Sequence, residues 1–506
     1  MQFKCRWWGK GDLDASIGVF FDGFSKVIVA VAILLGTFSL DGGTVFGTMM
    51  PGVLVTVLVM NGGLWLYYRH IAKTRGDRDL TAVPAGLQAG RMFIWLYSIM
   101  LPVFSTTGDA ELAFQVGLAA SLIGGMIEVL GGFIGRWIVK VVPHSALMGN
   151  MASSALVWLS FVGIAMVFDK PVYALLPFCM VIIDYLGKAD RRFQKLPTGV
   201  IAVVLGAVIA WSCGYLTWDN FTASFQDLGF YPPTFCGGDI LKGIRGIVPF
   251  LPVIIPLQIN NFLSTLQGIE AAKAVGDSYP ERRSMVMDGC STMLGSLFGN
   301  PLAVGLYWGY PGWKKMGSGT GYHLGIVVLY ALVGLTGLSA IITAFIPEAV
   351  VLPILVFVGI SSYSQAFEVV SKKYYPAVIM ASLPVVMDFI MDNVAEGKLE
   401  GFWAFDPGSA FVGLLVGCVF VFIIDNAWLK AAVTNVVALG LTGIGMIHSR
   451  GLLFTDTYAP DLGFVAAYCV LAVAFLVMHF IKFNQKAHQA DLEAEKAAAL
   501  EAAKNQ

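Results

Sequence analysis

The feature that most constrains this chain is the recurrence, from end to end, of stretches with little or no charge that are long enough to cross a hydrocarbon core of about 30 Å. They lie at residues 27–40, 45–68, 92–108, 141–168, 197–218, 246–269, 289–313, 316–346, 350–367, 374–387, 408–424, 431–449 and 462–481. Residues 112–138 around Glu128 and 171–186 around Asp184 raise the expectation to roughly 14 to 16 crossings by the same length criterion. Only 13% of the 506 residues are charged, about half the roughly 25% usual for soluble domains. The chain is therefore expected to be a polytopic membrane protein, all-α in class, with the lipid bilayer as its solvent.

The same arithmetic excludes other classes. Lys+Arg 32 against Asp+Glu 33 leaves a net charge of -1, so no nucleic-acid partner is expected. The seven cysteines stand singly, without the spacing of a zinc site or a disulfide framework. The six histidines form no HExxH pair, and neither a GxxxxGK[ST] loop nor a Ser/His/Asp grouping occurs. No enzyme activity, metal or cofactor is expected, and any driving force would be a gradient of H+, Na+ or the solute itself.

Basic residues set the expected orientation. They collect at the N-terminus, at Arg69/Lys73/Arg75/Arg78, Arg136/Lys140, Lys188/Arg191/Arg192/Lys195, Arg282/Arg283, Lys314/Lys315 and Lys372/Lys373. The intervening connections are poor in Lys and Arg, apart from Lys242 and Arg245, which places both termini in the cytoplasm of a multi-pass protein of the cell membrane. Residues 1–16, with Trp7, Trp8 and Lys10, read as an interfacial segment. Residues 484–506 turn abruptly to Ala, Glu and Lys and read as a solvated polar tail; a partner-binding coiled coil would need large apolar residues at heptad spacing.

Two segments carry too much Pro and Gly to be ordinary spanning helices. One is residues 81–91 (TAVPAGLQAGR), the other residues 299–309 (GNPLAVGLYWG). Aligned on their glycines, Ala85-Gly86-Leu87-Gln88-Ala89-Gly90 echoes Val304-Gly305-Leu306-Tyr307-Trp308-Gly309, with a Pro upstream in both. Irregular backbone at membrane depth survives only where protein or a polar cavity encloses it. A matched pair, one in each half of a chain, points to a transporter's central site, where half-helix N-termini face the solute. Close helix packing at small residues is the alternative use of such glycines.

Polar groups near these breaks complete the candidate site. Gln258, Asn261 and Thr265 share one helical face at i, i+3, i+7 and serve either as interhelical glue or as a solute site. Tyr307 or Trp308 can stack on a planar ring. Asp22 and Lys26, at i, i+4, read either as a mutually neutralising pair or as a substrate or ion contact. Glu128, Asp184, Glu368, Asp388, Asp392 and Asp425 read as helix-end or inter-helix partners, with Arg91 available to any of them.

These residues resemble the xanthine/uracil permease (nucleobase-ascorbate transporter) superfamily, nearest its adenine/guanine/hypoxanthine permease branch, from about Ala15 to Gly397. The resemblance rests on Val83-Pro84 and the break after it, on residues 138–149, on residues 261–268, and on residues 282–299 with Arg283, Asp288, Thr292, Gly295 and Gly299 in family-like spacing. It implies a 7+7 inverted-repeat fold with two broken helices carrying short extended segments. Core parts would span residues 17–140 and 241–347, and gate parts residues 141–240 and 348–483, the last including extra C-terminal hydrophobic segments. It also implies an elevator-type secondary transporter, a homodimer through the gate, that takes a purine or pyrimidine nucleobase. The solute would touch Lys26, Gly86, Leu87, Gln88, Gln258, Asn261, Thr265, Gly305, Leu306, Tyr307, Trp308 and Gly309. The departures are Asn261 and Gly309, which stand where proton-coupled relatives carry carboxylates; an amide does not titrate. With Lys26 and Arg91 nearby, the alternative solute is a small organic or inorganic anion such as a carboxylate, sulfonate, bicarbonate or sulfate.

Overall fold

The structure is a computed structural model of the 506-residue chain and describes residues 7–76, 80–186, 198–255, 258, 265, 269, 272–273, 276–306, 313–314, 317–393, 405 and 408–483. It is mostly helical. Six helices among the described residues are long and apolar enough to cross a membrane: Asp12–Gly36, Gly42–Arg75, Ala110–Gly135, His144–Asp169, Lys372–Met391 and Leu462–Phe480. Tyr322–Thr336 and Leu338–Phe345 add a seventh if their 92° bend is counted within one span, and Pro171–Ile183, Ile201–Ser212 and Ser409–Ile424 are shorter apolar helices. The 484–506 tail, the basic cluster at residues 188–195 and the first six residues lie outside the described residues.

The chain divides into two compact units. The first comprises Met1–Trp137, Trp158–Phe250 and Leu257–Ile360, the second Ile138–Val157, Leu251–Pro256 and Ser361–Gln506. Within the first unit the order is α1 (Asp12–Gly36), α2 (Gly42–Arg75), β1 (Ala85–Leu87), α3 (residues 89–107), α4 (Ala110–Val141), α5 (Glu281–Leu297), β2 (Val304–Leu306) and α6 (Tyr322–Thr336). Helix α6 packs against α1 and against the middle of α2. Prolines inside these runs are accommodated by widened turns: π-helical Val45–Met49 precedes Pro51, and π-helical Trp95–Met100 precedes Pro102. Proline lacks an N–H and its ring crowds the carbonyl four residues back, and a π turn relieves both without breaking the helix.

Glycine sets how closely these helices approach. A Cβ on Gly125 of α4 would lie 2.7 Å from the Gly289 carbonyl oxygen of α5, and one on Gly289 would lie 2.6 Å from the Gly125 oxygen. The two backbones therefore touch, as small residues permit between helices that have no solvent-driven reason to associate in lipid. Gly299, after α5, sits at φ +98°, and a side chain there would also strike the Thr48 backbone.

In the second unit, His144–Ser154, Tyr375–Asn393 and Ser409–Ile424 pack through small residues. Gly149 lies against Val378 and Ala381, Gly413 against the Ala381 carbonyl, and Gly417 against Ala146 and Ala381. Helices Trp428–Gly443 and Leu462–Phe480 pack on each other beyond them and are the added C-terminal segments.

Overpacking a close crossing costs about 1–3 kcal/mol. Gly289→Val is expected to lower the thermal unfolding midpoint of the detergent-solubilised protein clearly, while Gly440→Ala, with nothing within 4 Å of the added carbon, leaves it unchanged.

Candidate functional site

The two Pro/Gly-rich segments break as their composition requires, and they meet. β1 and β2 pair antiparallel with Ala85 opposite Leu306, Gly86 opposite Gly305 and Leu87 opposite Val304. The two glycines that align in sequence are thus direct partners across the ladder. All six strand residues are buried, so a two-stranded ribbon is enclosed by helices.

The backbone leading into each strand is irregular, and side chains supply what helix or sheet would have supplied. On the approach to β1, the Thr81 carbonyl accepts from the Tyr279 hydroxyl. The Ala82 carbonyl accepts from Tyr322 at 2.6 Å, and Val83 O meets His323 Nε2 at 3.1 Å. The Thr81 hydroxyl donates to Ser318 O at 2.7 Å and the Ala82 N–H to Gly319 O at 2.9 Å. On the approach to β2, the Asn300 amide donates to Thr56 Oγ1 at 2.7 Å and to Leu302 O at 2.8 Å, while its oxygen accepts from the Leu302 N–H at 2.8 Å. The Ser121 hydroxyl donates to Pro301 O.

Beside the ribbon stands Arg91, only 5% exposed. Its Nη2 donates to Val304 O, and its Nε donates to Gln88 Oε1 at 3.2 Å. Gln88 Nε2 in turn donates to Leu306 O at 3.3 Å. A Cβ at Gly305 would collide with both the Gln88 amide and the Arg91 guanidinium, so the glycine is what lets these groups lie on the strand. α3 starts immediately after Gln88, whose backbone is extended and whose side chain makes no capping bond. The first N–H groups of α3 have no intrahelical acceptor, and the helix dipole adds partial positive charge there.

Behind the ribbon runs a seam of buried polar groups. Gln258 and Thr265 are both fully buried, on the shared face their spacing requires. Thr265 donates to Asp288 Oδ2 at 3.0 Å. Asp288, on α5, and Glu128, on α4, are both fully buried and flank the close Gly125–Gly289 crossing. Glu128 is therefore an inter-helix partner, as its place in an apolar run suggests. A side chain at Gly124, one turn before Glu128, would run into the Gln258 amide and the Trp95 ring. Neither polar atom of Gln258 has a hydrogen-bond partner among the described residues.

The structure thus brings Gly86, Leu87, Gln88, Gly305 and Leu306 together in one ribbon and places Gln258 and Thr265 in the seam. Lys26 is buried on α1 and bonded to Asp22 Oδ2 at 2.6 Å, the mutually neutralising arrangement that i, i+4 spacing allows. Asn261, Tyr307, Trp308 and Gly309 lie outside the described residues. Tyr279, Asn300, Tyr322 and His323, which hold the irregular backbone, carry no sequence signal beyond being polar or aromatic in an apolar context.

No protein-family model and no curated protein sequence matches the chain. Among solved structures it is similar to the transmembrane domain of a cyanobacterium bicarbonate transporter, BicA, with a TM-score of 0.52 and 14% identity over 76% of this chain and 97% of that one. It is also similar to SLC26A9, with a TM-score of 0.52 and 15% identity over 81% of this chain and 65% of that one; the chain spans just under two thirds of SLC26A9. The fold is therefore the 7+7 inverted-repeat transporter fold, and the protein is a multi-pass membrane protein.

These neighbours correct the expected kinship: the fold matches SLC26 and BicA, not the xanthine/uracil permease family. The residues that carried the resemblance serve the architecture. A Cβ at Gly295 would strike Thr56, Gly299 needs its positive φ, Asp288 accepts from Thr265, and Arg283 lies over the Tyr67 ring. Such spacing marks the crossing of helices rather than one solute.

Removing the Asn300 side chain takes its partner from the buried Leu302 N–H and C=O, at about 1–3 kcal/mol for each unsatisfied group, while the Thr56 hydroxyl keeps its bond to Gly52 O. Asn300→Ala is expected to lower the unfolding midpoint and to open the Leu302 amide to hydrogen exchange, measured by mass spectrometry.

Proposed function

We propose that the protein is a secondary carrier of a small anion, bound beside the β1–β2 ribbon at the start of α3. The observation that carries the reading is Arg91, a buried guanidinium laid on the strand pair beside an uncapped helix N-terminus. Both groups favour negative charge, and a helix N-terminus offers backbone N–H donors to an anion. The fold shared with a bicarbonate transporter supports the same class of cargo.

A nucleobase fits this surface less well. Its ring N–H groups need acceptors, and the Gln88 oxygen already accepts from Arg91 while the Val304 and Leu306 carbonyls accept from Arg91 and Gln88. No carboxylate stands on either strand.

In this reading residues 17–140 and 241–347 form the core that carries the site, and residues 141–240 and 348–483 form the gate against which it moves. Pairing of gates as a homodimer and cytoplasmic termini in the cell membrane belong to the same proposal. The charge pattern of the loops and the inverted-repeat fold support it.

Purified protein in liposomes is expected to exchange labelled chloride, sulfate, bicarbonate or fumarate and to leave adenine and uracil untouched. Arg91→Gln removes a charge-assisted contact of about 1.5–3 kcal/mol, so the half-saturating anion concentration should rise roughly 10- to 100-fold with helical content unchanged. Exchange of nucleobases with all four anions inert would refute the proposal.

A further inference from the structure

We infer that the first unit binds an anionic phospholipid at the end where Trp7 lies, with the lipid phosphate held by Arg69, Arg282 and Arg283 and the acyl chains laid along an exposed apolar stripe of α4. The inference does not depend on what the protein carries.

The starting point is where three arginines put their charge. The Arg69 guanidinium lies 3.8 Å from the centre of the Trp7 ring and 5.0 Å from that of Trp65, and the two rings are 5.4 Å apart. Arg282 lies 3.8 Å over the Phe133 ring and Arg283 lies 5.9 Å from the Tyr67 ring. Among the described residues none of the three forms an ion pair. An aromatic ring takes the face of a guanidinium and leaves its edge N–H groups available. Those edges are what two phosphate oxygens engage in a forked contact.

The three arginines belong to one patch. Their ring contacts tie the end of α2 to the start of α5, and the start of α5 to the end of α4. Arg75, at the end of α2, closes the patch by donating to Ser278 O at 2.6 Å. On the last turns of α2 and the first turn of α5, the five cations Arg69, Lys73, Arg75, Arg282 and Arg283 stand with a single acid, Glu281. All but Arg69, which is half-buried, are exposed. Such a patch is complementary to an anionic headgroup, whereas a zwitterionic one would also bring an ammonium to it.

The apolar surface that runs into the patch makes the occupant a lipid and not a soluble anion. On α4, Met126, Leu130, Phe133, Ile134 and Trp137 are exposed at i, i+4, i+7, i+8 and i+11, which is one helical face. On α2, Leu66 is 63% exposed and Arg69 follows within a turn. Phe133 belongs to both surfaces, as a member of the stripe and as the platform under Arg282. Hydrocarbon on the stripe and phosphate on the guanidinium groups are the two halves of one phospholipid, and tryptophan rings mark the depth at which they join. Orienting the chain in the bilayer needs only the positive charge; it does not need arginines laid over rings.

Native mass spectrometry of the detergent-purified protein, incubated with phosphatidylglycerol and phosphatidylcholine of identical chains, reads which lipid is retained. The wild type is expected to retain phosphatidylglycerol preferentially. Arg282→Gln with Arg283→Gln should weaken that binding roughly 10- to 30-fold, and Arg69→Gln, which leaves α5 untouched, about fivefold. Lys242→Gln with Arg245→Gln removes two exposed cations at the opposite end of α4, where Gly243 packs on Gln115, and should bind as the wild type does. Unfolding midpoints in phosphatidylcholine alone identify the folded variants, and Arg69→Gln decides if the α5 double variant does not fold. Phosphatidylglycerol carrying a photoreactive acyl chain should label residues 126–137.

Equal retention of the two lipids by the wild type, or undiminished phosphatidylglycerol binding in the folded patch variants, would overturn the proposal. So would displacement of phosphatidylglycerol by millimolar inorganic phosphate, which would make the patch a site for a soluble anion, or labelling that avoids residues 126–137.

Discussion

A peptide group buried in lipid or protein must find a hydrogen-bond partner, and this constraint organises the whole molecule. Two segments of the chain give up helical hydrogen bonding, at residues 80–87 and 299–306, and neither break is tolerable alone. They are tolerated because each strand is the other's partner, and because Tyr279, Tyr322, His323, Ser121 and Asn300 meet the carbonyls that the ribbon leaves over. Arg91 lies beside the ribbon where α3 begins after Gln88 without a side-chain cap.

Much of this was legible in the sequence, for identifiable reasons. Pro and Gly at high density in an apolar run contradict a continuous helix, and the repeated Gly-Leu-x-x-Gly spacing predicted that the two breaks correspond. The register, with Gly86 opposite Gly305, is that correspondence made spatial. The i, i+4 spacing of Asp22 and Lys26 and the i, i+7 spacing of Gln258 and Thr265 are local and survive folding for the same reason.

What was not legible depends on distance along the chain. The donors that hold the first break lie 198 to 240 residues away from the carbonyls they serve, and Asn300 lies 244 residues from Thr56; no periodicity encodes such pairs. The kinship was misread for a related reason. Gly295, Gly299 and Asp288 stand in spacing imposed by close helix crossings and a buried polar seam, so chains with different cargo can share it. The fold itself corrected the kinship, and the contact of Arg91 with Val304 is invisible until the breaks are paired.

The account stands on an anion held between the ribbon and the start of α3. Bromide is a chloride substitute whose anomalous scattering locates it directly in crystals. The account predicts an anomalous peak within hydrogen-bonding distance of the Arg91 guanidinium and the first N–H groups after Gln88, absent from Arg91→Gln crystals grown alike. Bromide bound elsewhere with that place empty, or electron density for unbroken helix through Pro84 and Pro301, would contradict it.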